Sequence, residues 1–297
     1  MGGGIAVSVG GRRPTRAVLF AIWVALAVLA ALIVALALSV RATPPSAPAG
    51  APVASSGSTP GPRSSLAPSA GASSRDELSS AADDLPLRGV TVCLDPGHGS
   101  IPDLDLTPKY PGATDAMQYV EPGGAQGALT GTPEYEVTLD VALRLRGLLE
   151  GLGADVVMTR TTDDVVLSSE QRAEVANECG ADLFIRLHCD GDDDDPSRSG
   201  FSTLVPADTE WTHDIQARSL EVARVMHPMI VSELGCADGG IVERSDLAGF
   251  NFCDVPSVLF EMGFLSNPEE EARLCDESYR QALAQAIADA TAACLKA

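Results

Sequence analysis

The chain has 297 residues with 20 basic and 41 acidic side chains, a formal net charge of −21. Every acidic residue follows Arg75, together with 14 of the basic ones, so that part alone bears −27, a field that repels nucleic acid and an anionic lipid surface. The seven cysteines show no C-x-x-C spacing, which argues against a zinc knuckle or a thioredoxin-like site, and an odd number leaves at least one thiol unpaired within the chain.

In chain order, residues 1–16 form a short N-terminal stretch with Arg12, Arg13 and Arg16, and residues 17–40 are an uncharged apolar run of roughly 24 residues, long enough to cross a bilayer as one helix. The arginines ahead of it place the N-terminus in the cytoplasm and everything after Val40 outside. The rival reading is a signal peptide cleaved near "VRA" at 40–42. Its apolar segment should be about 7–15 residues, so an uncleaved, single-pass anchor in the cell membrane is expected; the alternative is secretion after cleavage. Residues 41–86 are dominated by Pro, Ala, Ser and Gly, too poor in large apolar side chains to offset the entropy of ordering, and are expected to be a disordered linker.

Residues 87–297 have the size of one α/β domain. Apolar, β-branched runs at 89–94, 155–159, 182–188 and 257–262 predict strands, and periodicity predicts helices over 134–150, 168–179, 213–234 and 268–295. Ser168 and Gln171 form a capping box at the start of the second helix. Alternation of strands and helices favours a mostly parallel sheet covered on both faces, with ligands beyond the carboxyl ends of the strands.

Three chemically capable side chains fall on that rim. His98, in "CLDPGHGS", follows the first strand, His188 closes the third and Glu261 lies near the end of the last. Glu134 opens the first helix on the same stripe as Val137, Val141, Leu145 and Leu148, and so points inward. A carboxylate in a first turn also complements the helix dipole, but two rim histidines give it a further use. Two His and one carboxylate are the ligand set of many catalytic zinc sites that leave a position for water, and a remaining carboxylate, Glu261, can shuttle the proton. The chemistry implied is amide hydrolysis.

The segments "CLDPGHG", "PEYEVTLDVALRLRGLLE", "ADLFIRLHCDG" and "PSVLFEMGFLSNPEEEARL" together resemble the zinc-dependent N-acetylmuramoyl-L-alanine amidases of the amidase-3 type, in the family's order over residues 88–295. The resemblance implies a twisted, mainly parallel sheet flanked by helices on both faces, forming a single catalytic domain after the transmembrane helix and linker. It also implies one Zn2+ held by His98, Glu134 and His188, with Glu261 as the catalytic carboxylate. The implied substrate is peptidoglycan, cut between the lactyl group of muramic acid and L-alanine of the stem peptide, in wall remodelling or daughter-cell separation. The alternatives are a non-catalytic wall-binding module that keeps the metal and a zinc peptidase cutting within the stem. An activator protein is conceivable but unnamed by the sequence.

Several features depart from the family pattern or need assignment. Residues 100–133 are longer and richer in Gly and Pro than in simple members, and either fold over the cleft or decorate it. Arg186 stands where members carry a small or apolar residue, and a buried ion pair with an acidic neighbour is expected there. Cys189 faces away from His188 by strand alternation and is read as a core thiol. "GDDDDP" at 191–196 reads as a solvated loop. Arg244 is a candidate for holding a stem-peptide carboxylate, against an exposed pair with Asp246. His213 and His227 share a predicted helix face but lie some 20 Å apart along its axis, too far to ligate one ion.

Overall fold

The computed structural model describes residues 85–296, all within one compact unit. The expected N-terminal stretch 1–16, the apolar segment 17–40 and all of the linker except residues 85 and 86 lie outside the described residues. No helix among the described residues is long and apolar enough to cross a membrane.

Strand β1 (Thr91–Pro96) is followed by the strands β2 (Asp103–Pro108) and β3 (Met117–Glu121), helix α1 (Glu134–Gly151), β4 (Asp155–Met158) and α2 (Ser169–Glu178). Then come β5 (Leu183–Asp190), β6 (Phe201–Pro206), α3 (His213–Leu234), β7 (Asp238–Arg244), the single turn α4 (Ala248–Asn251), β8 (Ser257–Phe264), α5 (Pro268–Leu274) and α6 (Glu277–Leu295). Six strands form one sheet in the order β4-β1-β5-β8-β6-β7, and β2 pairs with β3 apart from it. Only the β6/β8 pair in the large sheet is antiparallel, so the expected mainly parallel α/β sheet is present.

Alternation along the strands sorts side chains between two cores. Val92, Leu94, Leu183, Ile185, Leu187, Cys189, Val258, Phe260 and Met262 meet the apolar stripes of α1, α3 and α6, among them Val141, Leu145, Met226 and Ile287. Residues of opposite parity, Cys93 and Phe184, meet Ala173 and Ala176 of α2, and Leu259 meets Phe250 of α4. Each fully buried Leu or Ile contributes about 1.5–3 kcal/mol. Helices therefore cover both faces, and the faces differ in size. On the second face the next residues outward along the strands are Asp95, Arg186, His188 and Glu261, where polar side chains replace apolar ones.

The predicted helix 268–295 is two helices. Asp276 accepts a hydrogen bond from the Tyr279 amide, and this N-cap in extended geometry breaks the chain direction between α5 and α6. Strands β6 and β7 and the β2/β3 pair were not predicted. "DGGIVER" in β7 lacks a buried run, because it lies at the sheet edge with mostly exposed side chains, and β2 exposes Leu104 and Leu106. The Ser168–Gln171 capping box forms as predicted.

Beneath the strand ends lies a polar cluster. Asp95, fully buried, accepts hydrogen bonds from Thr159 Oγ1 (2.7 Å), Arg172 Nη1 (2.8 Å) and Arg186 Nε (2.9 Å). It is thus the acidic neighbour that the sequence requires for Arg186. Burial alone would raise the Asp95 pKa, but the charges of Arg172 and Arg186 outweigh it and hold the carboxyl below the ordinary carboxylate range. A depressed folded-state pKa stabilises the fold above the unfolded value of about 3.9 and progressively less as pH falls below it. Asp95→Asn should accordingly cost about 3–5 kcal/mol near neutral pH by stranding two buried guanidinium groups. The gap between wild-type and variant urea midpoints should narrow between about pH 6 and about pH 3; a gap independent of pH would refute the ion-pair assignment.

Candidate active site

The site is assembled by three connections that converge at the carboxyl ends of β1 and β5. Immediately after β1 the chain turns through Gly97 and His98, and His98 has φ +60°, the one positive φ on a non-glycine residue among the described residues. Left-handed geometry is unfavourable for a side chain, and here it is imposed from below. Arg160 donates from Nε to the Pro96 carbonyl and from Nη2 to that of Gly97 (both 2.9 Å). Arg172 donates from Nη1 to Pro96 O (2.9 Å) and from Nη2 to His98 O (3.0 Å). Gly97 is required because a Cβ there would lie 2.4 Å from the His188 ring. The turn can therefore bring the two imidazoles together, with ring centroids 5.0 Å apart and planes at 88°.

Glu134, 2% exposed, is the first residue of α1. Its carboxylate lies between the two histidines: Oε1 is 2.9 Å from His188 Nδ1, and Oε2 is 3.4 Å from His98 Nε2. Backbone amides of Cys189 (3.0 Å) and Ala125 (2.8 Å) also donate to it. Burial raises the Glu134 pKa, but the two histidines and the Ala125 amide prevail and lower it to about 2. One donor atom from each of His98, Glu134 and His188 lies within 4.8 Å of the others. His188 Nε2 is buried and has no hydrogen-bond partner. A buried, unpaired imidazole nitrogen beside a carboxylate and a second imidazole is a donor set that suits a divalent ion such as zinc.

Burial lowers the pKa of His188 against the pull of Glu134, which favours the neutral imidazole, the form that binds metals. On His98 burial acts in the same sense, but Glu134 and Glu121 overcome it and raise the pKa. Glu121, at the end of β3, accepts a hydrogen bond from His98 Nδ1 (2.9 Å) and is also approached by Arg172 Nη2 at 3.4 Å. With Glu121 holding Nδ1–H, Nε2 of His98 is the nitrogen left to act as a ligand.

Glu261 stands beside His188 in register on the neighbouring strand β8. Its Oε2 is enclosed and has no hydrogen-bond partner. Burial, followed by the negative charges of Glu134 and Asp190, raises its pKa well above the ordinary carboxylate range; a dication held by the neighbouring ligands would act in the opposite sense. His98, His188 and Glu261 line two cavities at once. The larger, about 700 Å³, adds Glu134, Asp190, Asp193 and residues Gly124–Ala128. The smaller, about 440 Å³, adds Lys109, Arg186 and Arg244.

Over residues 92–293 the chain matches the family model described as N-acetylmuramoyl-L-alanine amidase. The chain belongs to the N-acetylmuramoyl-L-alanine amidase family. It is 30% identical over 216 residues to an N-acetylmuramoyl-L-alanine amidase of Mycobacterium tuberculosis, covering 70% of this chain and 88% of that one. It is 32% identical over 206 residues to one of Bacillus subtilis, where the match spans 69% of this chain and only 36% of the relative. Among solved structures, the amidase Ami1 from Mycobacterium smegmatis superposes with a TM-score of 0.63 at 30% identity, covering 70% of this chain and 98% of that one. An amidase from Clostridium difficile gives 0.56 at 26% identity, covering 68% and 94%. The chain is thus an enzyme of the peptidoglycan amidase family.

Other residues singled out in the sequence fall as follows. Cys189 is a buried core thiol whose pKa burial raises. The 192–195 aspartates sit in a surface loop in which Asp192 pairs with Arg198 at 3.0 Å. Arg244 forms the expected pair with Asp246 (2.7 and 2.8 Å) and also lines the smaller cavity. His213 is exposed and pairs with Asp208, and buried His227 bridges Thr203 and Asp238; neither lines either of these cavities.

The residues that sequence reasoning missed are those behind the site: Glu121, Arg160, Arg172 and Asp95. The Gly- and Pro-rich segment 100–133 is no mere decoration. Its β3 strand delivers Glu121, and residues 124–128 wall the larger cavity, tied down where Glu271 accepts hydrogen bonds from the Leu129 and Thr130 amides (2.7 and 2.8 Å). Removing the Glu121 carboxylate should free the His98 ring. Glu121→Ala is expected to weaken zinc binding about 10- to 100-fold in a competition titration against a chromogenic chelator; unchanged affinity would show that Glu121 does not orient the ligand.

Proposed function

We propose that the protein hydrolyses, with zinc, the amide bond between the lactyl group of N-acetylmuramic acid and L-alanine of the peptidoglycan stem peptide, in wall remodelling or daughter-cell separation. The observation that carries this reading is the convergence of His98, Glu134 and His188 donor atoms within 4.8 Å where two cavities meet beside Glu261. These three residues would hold one zinc ion. When bound, zinc polarises the carbonyl under attack and reduces the pKa of a water to about 7.

The protein's own groups do the rest. Glu261 Oε2, enclosed and unpaired, is suited to take a proton from the attacking water and return it to the amine nitrogen of the departing L-alanine. Glu121 keeps the His98 imidazole in one tautomer, and the Glu134 carboxylate is held ready by two backbone amides. We assign Arg244, at the rim of the smaller cavity, to substrate binding. In this reading the domain works outside the cytoplasm, held at the membrane by the apolar segment 17–40.

Digestion of purified peptidoglycan should release peptides with a new L-alanine amino terminus and leave lactyl carboxylates on the glycan. Chelation should stop it and added zinc restore it. Cleavage inside the stem peptide would identify a peptidase, and zinc binding without turnover a wall-binding module. Glu261→Gln should retain zinc while kcat falls roughly 100- to 10,000-fold, whereas His188→Ala should lose both metal and activity. A rate close to wild type in either variant overturns the assignment.

A further inference from the structure

Three arginines are buried beneath the site, and they are not equally occupied. Arg160 and Arg172 spend their terminal nitrogens on protein acceptors: Arg160 on Thr162 O, Asp163, Gly97 O and Tyr135 O, and Arg172 on Asp95, Pro96 O, His98 O and Glu121. Arg186, only 4% exposed, gives its Nε to Asp95, and the guanidinium lies over the Phe184 ring, 5.8 Å from its centroid. Its Nη1 and Nη2 donate to no group among the described residues. They are not among the polar atoms sealed from solvent, and the side chain lines the smaller cavity beside His188 and Glu261.

A guanidinium with open donors, largely withdrawn from water, is costly unless an acceptor arrives, and its planar fork matches a carboxylate. The surroundings are built around it. Gly249 of α4 lies so close that a Cβ would fall 2.1 Å from Nη1. Lys109 also lines this cavity and has no ion pair among the described residues. Asn251 Nδ2 holds the Lys109 carbonyl (2.9 Å) and that of Ser245 (3.2 Å), which keeps this lysine next to Arg244. The larger cavity, by contrast, is lined by Asp190 and Asp193 and disfavours an anion.

Resting on the amidase reading, we infer that the smaller cavity is a carboxylate subsite. The fork of Arg186, with Lys109 in the same cavity, receives the free α-carboxylate of the second stem residue, a D-glutamate joined onward through its side chain. The departing peptide therefore occupies the smaller cavity and the glycan side of the substrate the larger one. Amidation of that carboxylate to D-isoglutamine replaces an anion by a neutral group and removes the charge that Arg186 awaits.

The test compares N-acetylmuramoyl-L-alanyl-D-glutamate with its D-isoglutamine counterpart as substrates of the full-length zinc-loaded chain. Calorimetric binding of the two free dipeptides is measured alongside, since it needs no turnover. The wild type should favour the acid in kcat/KM and in binding by roughly 10- to 100-fold, and Arg186→Gln should bring both ratios close to unity. Because that variant also disturbs Asp95, Gly249→Ala is the second probe. Its new methyl would fall within 3 Å of the Arg186 guanidinium, which supplies its three nearest atoms, so the displaced fork should lower the preference, and a urea titration run alongside checks that the fold is kept.

Equal use of both substrates by the wild type, or a preference unchanged in Arg186→Gln and Gly249→Ala alike, overturns the inference. Selective binding of the acidic dipeptide without cleavage of either substrate supports the subsite and overturns the amidase reading instead.

Discussion

The carbonyl groups of Pro96, Gly97 and His98 are held by the guanidinium groups of Arg160 and Arg172, and the geometry of the site depends on that grip. A parallel strand that stops inside a protein leaves backbone acceptors without a ladder partner. Here charged donors satisfy them, and these donors reach past the strand to fix a left-handed histidine that would otherwise be free to relax. The arginines in turn need counter-charges. Asp95 serves Arg172 and Arg186, Asp163 serves Arg160, and Glu121 stands between Arg172 and His98. One connected set of charges thus runs from the core edge to the candidate ligand, so that the orientation of His98 and the stability of the fold share the same bonds.

How much of this was legible in the sequence follows from the range of each interaction. Elements with a long buried stripe, such as α1 with Val137, Val141 and Leu145, are written in local periodicity and were found. So was the position of Glu134 on that stripe, because a helix carries the direction of its side chains in its spacing. The α5/α6 break hung on a single capping aspartate within an otherwise helical run, and β7 on pairing at an edge with little burial; neither leaves a strong local pattern. The residues behind the site were illegible for another reason. Glu121 and His98 are 23 positions apart and Arg172 and Asp95 are 77 apart. Only the fold makes them neighbours, though a lone arginine at the inward position after the Ser168–Gln171 cap was a usable sign.

Strand parity explains why the chemistry sits on one face. In β5, odd-numbered Leu183, Ile185, Leu187 and Cys189 enter the larger core, while Phe184, Arg186 and His188 take the other side. In β8 Glu261 shares a side with Leu259. The smaller helical layer stops short of the strand ends, and where it stops the side chains change from Phe184 and Cys93 to Arg186, Asp95 and His188. A one-residue slip of β5 would put His188 among leucines and Cys189 in the cleft. The apolar residues of the larger core therefore set the register on which the site depends, although they touch none of its chemistry.

The charge distribution separates approach from recognition. A stretch bearing −27 repels an acidic polymer at a distance, but at physiological salt that repulsion is screened beyond about 8 Å. Inside the cleft screening is weaker, and the sign reverses locally: Asp190 and Asp193 border one cavity, while Arg186, Lys109 and Arg244 border the other. The net charge thus does not dictate what the cleft accepts. Discrimination then rests on the few groups in direct contact, and on the carboxylate-subsite proposal Arg186 is the first of them.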